Sequence, residues 1–414
     1  MVRKKSRENI CVLDIGSSKI VCFIASIGSH GSIEITGIGH NLSGGIKSGS
    51  ITDVKASEMA IAQAVEAAER MAGERIDKIY VNISAVNSLV KQINSQIIVA
   101  GHEITEKDLQ KLLIQLSDNQ PKDFEIIHSF PLDYSLDGNQ GITSPLRMYG
   151  KELHCKYNIV MAAVSTILNL ENCLTRCQLE MESLIHSTYS AGLASLTNDE
   201  KDMGTILLEM GGGSTSIAVF NNGSMIFADA VPFGGIHITN DLAKILSIDF
   251  ANAERLKTLY GSAITSSADK EQFFDLTLEN SEDDNEDNKV SKDVLVEIIS
   301  ARVEEILEML KHRLTKSNAE KFAGNKIVIT GGASQLQGMK EMVAKVFERK
   351  VQGSSFTAAK QNLHGLADSA SGPSFAVPIG MLMYVADLNE NDSVVSATSK
   401  PWQGLLNWFK ENFA

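Results

Sequence analysis

The sequence predicts an α/β fold built from two related lobes, and three observations carry that reading. The pattern Val12-Leu13-Asp14-Ile15-Gly16-Ser17-Ser18 returns as Leu207-Leu208-Glu209-Met210-Gly211-Gly212-Gly213-Ser214-Thr215: an apolar strand, an acid, one apolar residue, glycine, then small hydroxyl residues. Each copy runs into a second β-rich stretch, Lys19–Ile27 or Ser216–Phe220. Stretches of helical periodicity separate them, and 414 residues leave room for two or three domains with sizeable cores.

The elements follow in order. Ile10–Ile15, Lys19–Ile27 and Ile33–Ile38 are β-rich runs divided by glycine turns. Asp53 is an N-cap for an alanine-rich helix reaching Met71, and Lys78–Ser84 is the next strand. Residues 85–165 change character, with a polar strand run Leu89–Val99, a helix from Thr105 carrying Leu109, Leu112, Leu113 and Leu116, and loops rich in Pro, Gly and Asp. This block reads as an inserted subdomain, which leaves 1–84 together with 166–200 as the first lobe. A helix is predicted over Thr166–Met181.

The second lobe, 201–385, opens on the strands Thr205–Met210 and Ser216–Phe220. Its long helix, Ser291–Leu314, is expected to turn Val294, Ile298, Val303, Ile306, Leu310 and Leu314 inward, and Ile327–Thr330 is a strand ending in Gly331-Gly332. The acidic run Glu279–Asp287 reads as a solvated loop. Residues 386–400 are polar and aperiodic, a flexible linker, and 401–414 form a closing apolar-rich segment.

Composition narrows the function. Hydrophobic residues at 43% and charged residues at 21% exclude wholesale disorder. A net charge of −13, with no basic cluster beyond Arg3, Lys4, Lys5 and Arg7, argues against nucleic acid as a partner. The five cysteines form no CxxC pair; Cys173 and Cys177, one helical turn apart, are expected as core thiols in a reducing cytosol. No signal-type apolar region and no run of eighteen apolar residues occurs, so neither export nor a membrane span is expected. His128, His154, His186 and His237 lack metal-site spacing and read as surface or satisfied core histidines, and no GxSxG elbow is present.

The glycine hairpins carry the chemistry. A glycine turn between strands lets backbone N–H groups point at phosphate oxygens without an intervening Cβ, and neighbouring hydroxyls add donors. Acids at the strand ends, Asp14 and Glu209, suit a hydrated Mg²⁺. The spacing is neither a Walker loop nor a Rossmann turn, since each glycine run joins strand to strand. At Thr330-Gly331-Gly332-Ala333 the missing side chains would let a flat base approach.

With these motifs in hand, the sequence resembles the actin, Hsp70 and sugar-kinase ATPase superfamily, in which duplicated ribonuclease-H-like halves clasp ATP between paired phosphate hairpins. Within it the sequence is similar to the FtsA family of bacterial cell-division proteins. The resemblance runs through both hairpins, Val231-Pro232-Phe233-Gly234-Gly235, Asn240-Asp241-Leu242-Ala243, Ala253-Glu254-Arg255-Leu256-Lys257, Arg302-Val303-Glu304-Glu305-Ile306, Thr330-Gly331-Gly332-Ala333 and Pro378-Ile379-Gly380-Met381-Leu382. It implies an actin-like two-lobed ATPase fold with an FtsA-type insert at 85–165 that makes protein contacts. ATP or ADP with Mg²⁺ would be held by Gly16, Ser17, Ser18 and Lys19 on one side and by Gly211, Gly212, Gly213, Ser214 and Thr215 on the other. Glu254 and Lys257 would lie beside ribose and base, and Gly331, Gly332 and Ala333 in the adenosine loop. Glu209 stands where relatives carry aspartate, and Ser216 where many carry another, so slow or absent hydrolysis is expected.

The resemblance further implies self-assembly, tethering of the division tubulin FtsZ to the inner face of the cytoplasmic membrane at the division site, and recruitment of later division proteins. In the last segment, stepping about 100° per residue gathers Trp402, Leu405, Leu406, Phe409 and Phe413 into one apolar arc bordered by Trp408, with Pro401 at the helix start. Behind a polar linker this pattern reads as an amphipathic helix lying on membrane lipid, as in FtsA relatives. Two alternatives stay open: a small-molecule kinase or exopolyphosphatase of the same superfamily, and an actin-like pilus-assembly adaptor, which has no such tail.

Overall fold

In the computed structural model, which describes residues 8–28, 32–118, 120–276, 289–356, 362–365 and 371–390, the chain folds as two lobes with the same sheet order and an insert. In the first lobe the antiparallel meander Ile33–Leu42, Lys19–Ile27, Glu8–Ile15 continues into the parallel strands Lys78–Ile83 and Glu180–His186. In the second, Ser224–Val231, Thr215–Asn221 and Thr205–Met210 form the meander, and Lys326–Thr330 and Lys350–Gly353 the parallel extension. A short strand, Leu363–His364, returns from the second half to pair with Ile33–Leu42.

Four apolar cores hold these layers. Helices Ser187–Ser195 and Ala376–Glu390 lie between the two sheets, where Val12, Val21, Phe23, Leu207, Ala218 and Phe220 meet them. The central strands are thus buried on both faces and read as continuous apolar runs. The crossing of the two helices is close: a Cβ built on Gly380 would lie 1.7 Å from the Ser190 carbonyl oxygen. Helices Val54–Ala72 and Val164–Arg176 cover the outer face of the first sheet, and Gly235–Ile245, Phe250–Tyr260, Lys292–Lys316 and Met339–Phe347 that of the second. Asp53 caps the first of these, its side chain accepting from Ala56 N at 3.1 Å.

Four expectations change. Residues 386–390, expected in the linker, continue the helix Ala376–Glu390. The helix expected to reach Met181 stops at Arg176; Gln178 takes a positive φ of 61°, and Glu180–His186 pairs with Lys78–Ile83, an edge that would otherwise lack a partner. In the insert, the stretches expected as loops contain the strands Phe124–Leu136 and Glu152–Ala163. Their alternating Tyr134 and Leu136, and Leu153, Cys155, Tyr157 and Ile159, pack with helix Glu106–Asp118 on one face of a four-stranded sheet. Along Lys292–Lys316, Val294 is exposed and Leu295, Val296 and Ile299 face inward instead. Two steps back from Val303 with a period of about 3.6 land on Ile299 and then on Leu295 and Val296, which straddle the second step. The acidic stretch at 279–287, residues 391–400 of the expected linker and the whole of 401–414, with Trp402, Leu405, Leu406, Trp408, Phe409 and Phe413, lie outside the described residues.

Candidate functional site

The two hairpins are built alike. Ile15 pairs with Ile20 and Met210 with Thr215, so each encloses a four-residue loop, and in each the first residue's N–H donates to the fourth residue's carbonyl: Gly16 to Lys19 at 3.0 Å, Gly211 to Ser214 at 2.9 Å. They face each other across the lobes. A Cβ on Gly212 would lie 2.8 Å from Ser18 Oγ, and one on Gly213 would lie 2.3 Å from Ser17 Oγ. Between them is a cavity of about 210 Å³, lined among others by Asp14, Lys19, Asn82, Ser187, Glu209 and Gly332.

Two acids form its floor. Asp14 accepts from Asn82 Nδ2 at 2.8 Å, while Asn82 Oδ1 accepts from Ile15 N at 2.7 Å, which fixes the strand end. Burial, and next the like charge of Glu209, push the Asp14 carboxyl up to about 7, against the opposing pull of Lys19. Burial likewise holds Glu209 above its usual range, opposed by hydrogen bonds from Ser216, Thr188 and Ser187. Ser216 Oγ donates to Glu209 Oε2 at 2.8 Å, and Thr188 Oγ1 lies 3.1 Å from the same oxygen. Lys19, which lines the cavity, rests its ammonium 3.5 Å from the centroid of the Phe375 ring; burial lowers its pKa and Asp14 raises it. The result is a pair of carboxyls whose ionisation burial disfavours and a bound cation would favour.

The other expected residues group around this centre. Gly331 and Gly332 line the cavity, but the absent side chain of Gly331 serves the neighbouring strand: with φ at 88°, a Cβ there would lie 2.4 Å from the Met210 carbonyl oxygen. Gly332 is the open one, with Ser374 Oγ at 3.4 Å. Ala333 and Lys257 Nζ both come within 4 Å of the Cβ position of Gly235, and Lys257 donates to Glu254 Oε2 at 2.6 Å and to Thr239 Oγ1 at 2.8 Å. Glu254, Lys257 and Ala333 therefore gather beside the cavity rather than in its wall. Thr215 is buried and donates to the Phe233 carbonyl at 2.8 Å.

Asn82, Ser187 and Thr188 were not singled out from sequence. Asn82 carried a signal, a polar side chain within the apolar run Lys78–Ile83; Ser187 and Thr188 open a helix with no motif to mark them. His128 and His186 are satisfied core histidines. His186 Nδ1 accepts from Tyr189 N at 3.3 Å, which leaves Nε2 to donate to Ser88 Oγ at 3.0 Å, and His128 Nε2 accepts from His186 N at 3.0 Å. Burial lowers them to about 3 and about 4, so both are neutral. Among the described residues no group of three or more His, Cys, Asp or Glu side chains is placed to chelate a metal, and no helix is long and apolar enough to cross a membrane.

Comparison with known proteins now adds to this geometry. Residues 206–380 match the family described as cell division protein FtsA, and 87–161 the SHS2 domain inserted in FtsA. The chain is similar to the cell division protein FtsA of Agrobacterium fabrum, 38% identical over 99% of this chain and 96% of that protein. The Pseudomonas aeruginosa protein of the same description is 30% identical over 100% of both. Among solved structures, a PilM–PilN type IV pilus biogenesis complex gives a TM-score of 0.65 at 15% identity, covering 92% of this chain and 99% of that one. MreB 5 of Spiroplasma citri bound to AMPPNP gives 0.56 at 12% identity, covering 94% and 99%. The fold is actin-like and carries an inserted SHS2 domain.

Proposed function

The chain belongs to the FtsA family of bacterial cell-division proteins, and from that membership we propose that it binds ATP or ADP with Mg²⁺ between its lobes, self-assembles, and holds FtsZ at the inner face of the cytoplasmic membrane while recruiting later division proteins. The observation that carries the nucleotide reading is the convergence of two glycine hairpins of equal length on two carboxyl groups, Asp14 buried and Glu209 half-buried. The pilus-adaptor and kinase alternatives share the fold; the full-length identities favour the division protein.

The amides and hydroxyls of residues 16–19 and 211–214 would hold the phosphates. The donor set is all oxygen, with Asp14 and Glu209 short of positive charge, which fits a hydrated Mg²⁺ held through water. When bound, that ion would neutralise phosphate charge. Glu209 Oε2 is already engaged by Ser216 and Thr188, so it is poorly placed to orient an attacking water, and slow turnover follows. The nucleotide then acts as a conformational ligand, favouring assembly only as far as it binds the assembled state more tightly. The insert presents a folded sheet and helix with its own core, suited to protein contacts, and the C-terminal segment would rest on lipid.

Isothermal titration of ATP with Mg²⁺ into the native protein and Gly212→Val tests the site. A branched side chain at 212 would project into the cavity between the hairpins, where a phosphate must sit. Native binding lost in the folded variant supports the reading, and undiminished binding in the variant removes it.

A further inference from the structure

The tip of a small hairpin in the first lobe reaches across the mouth of the cleft. Strands Ile46–Lys47 and Ser50–Ile51 pair antiparallel, and Ser48 and Gly49 turn between them, both with positive φ, 47° and 78°. Glycine is the usual residue for such a backbone, as it is at 49; a serine there is uncommon and is retained only where its surroundings over-determine it. Here the hydroxyl has a use. Ser48 Oγ donates to the carbonyl of Gly213 in the second lobe at 2.9 Å, with the Pro232 carbonyl at 3.4 Å as a weaker second acceptor. The tip itself is pinned to its own lobe. Asn87 Nδ2 donates to the Gly49 carbonyl at 2.7 Å, Ser50 Oγ to Asn87 Oδ1 at 3.0 Å, and Gly49 N to Ser17 Oγ at 3.2 Å.

We infer that Ser48 is an interlobe latch whose hydroxyl holds the two phosphate hairpins against each other and must release Gly213 before a nucleoside triphosphate can occupy the cleft. The cavity measures about 210 Å³. The hairpins touch, with Ser17 Oγ 2.3 Å from the Cβ position of Gly213 and Ser18 Oγ 2.8 Å from that of Gly212, so a phosphate seated between them requires them to part. The contact that must open is the one between Gly213 and Ser17, and Ser48 bridges it directly: its backbone N lies 3.1 Å from the Cβ position of Gly213. A closed arrangement favoured by the latch scales the apparent affinity down to the fraction of molecules that are open.

The inference rests on the nucleotide reading above, and its test separates the two. Ser48→Gly keeps the left-handed backbone and removes the hydroxyl; Ser48→Asn tolerates the same backbone and keeps a donor. Without added nucleotide, hydrogen exchange of the amides in 211–216 should be faster in Ser48→Gly than in the native chain, and near native in Ser48→Asn. In stopped flow with a fluorescent ATP analogue, Ser48→Gly should bind about two- to tenfold faster and more tightly, the factor one net hydrogen bond supplies, with dissociation little changed. Native exchange rates in Ser48→Gly would overturn the latch whether or not ATP binds. Weaker ATP binding in that variant would overturn it too, by making Ser48 a ligand for the nucleotide. Failure of the native protein to bind ATP would overturn the nucleotide reading, while the exchange rates still decide whether Ser48 holds the lobes together.

Discussion

Replacing Asp14 by asparagine should make the protein more stable at pH 8. Burial and Glu209 raise the Asp14 carboxyl from 3.8 to about 7. A folded-state value above the unfolded one means the native state holds this proton more tightly than the unfolded chain. Stability from this group is therefore lost as pH rises from about 4 through 7, and above 7 the whole deficit is present. Some three pH units at about 1.36 kcal/mol each come to about 4 kcal/mol at pH 8, falling to about 1.5 kcal/mol at pH 5. Asp14→Asn carries no charge to desolvate, and its side-chain oxygen can still accept from Asn82 Nδ2. Urea denaturation in a chelator at both pH values reads the difference between variant and native chain. A variant no more stable than native at pH 8, or a gap that does not shrink between pH 8 and pH 5, refutes the argument. Mg²⁺ with ATP should narrow the gap at pH 8, because only the native carboxylate has a charge to be relieved.

Gly380→Ala should destabilise the fold by about 1–3 kcal/mol, read as a lower urea midpoint. The better helix propensity of alanine, worth about 1 kcal/mol, is outweighed by a methyl group driven into the Ser190 carbonyl. Steady-state ATP turnover with Mg²⁺ should fall far below the enzyme median of about 10 s⁻¹, and Glu209→Asp combined with Ser216→Asp should raise it; rapid native turnover would instead support the kinase alternative. Trp402→Glu with Phe409→Glu should leave the protein in solution in a vesicle flotation assay while ATP binding persists. Flotation that survives both charges would rule out the C-terminal helix as the anchor.

Sequence periodicity located what is locally determined. The central strands, the Asp53 cap and both hairpins follow from apolar runs and glycines that are visible within a few residues. It failed where distant partners decide. Glu180–His186 is a strand because Lys78–Ile83 lies beside it, and the long insert strands were hidden by Pro131 and by turn-forming Asp and Gly around them. Around the cavity, the repeated acid–glycine pattern marks Asp14, Glu209 and the two loops, all of which line it. It could not identify Asn82, Ser187, Thr188 or Ser48, which come from a strand end, one helix start and one hairpin tip with no repeat to mark them.

Ser17 and Ser18 fill the space that side chains at 213 and 212 would need. A duplication starts from two interchangeable copies, yet these loops have become knob and socket and can no longer be exchanged. Two serine-type loops would collide at the centre, and two glycine-type loops would leave a gap there. Drift in either loop is thereby constrained by the other, so a bulkier residue at 212 or 213 should be found only in chains where the opposing hydroxyl residue has shrunk. The same asymmetry gives the cleft a polarity, which a ligand with two unlike ends can read.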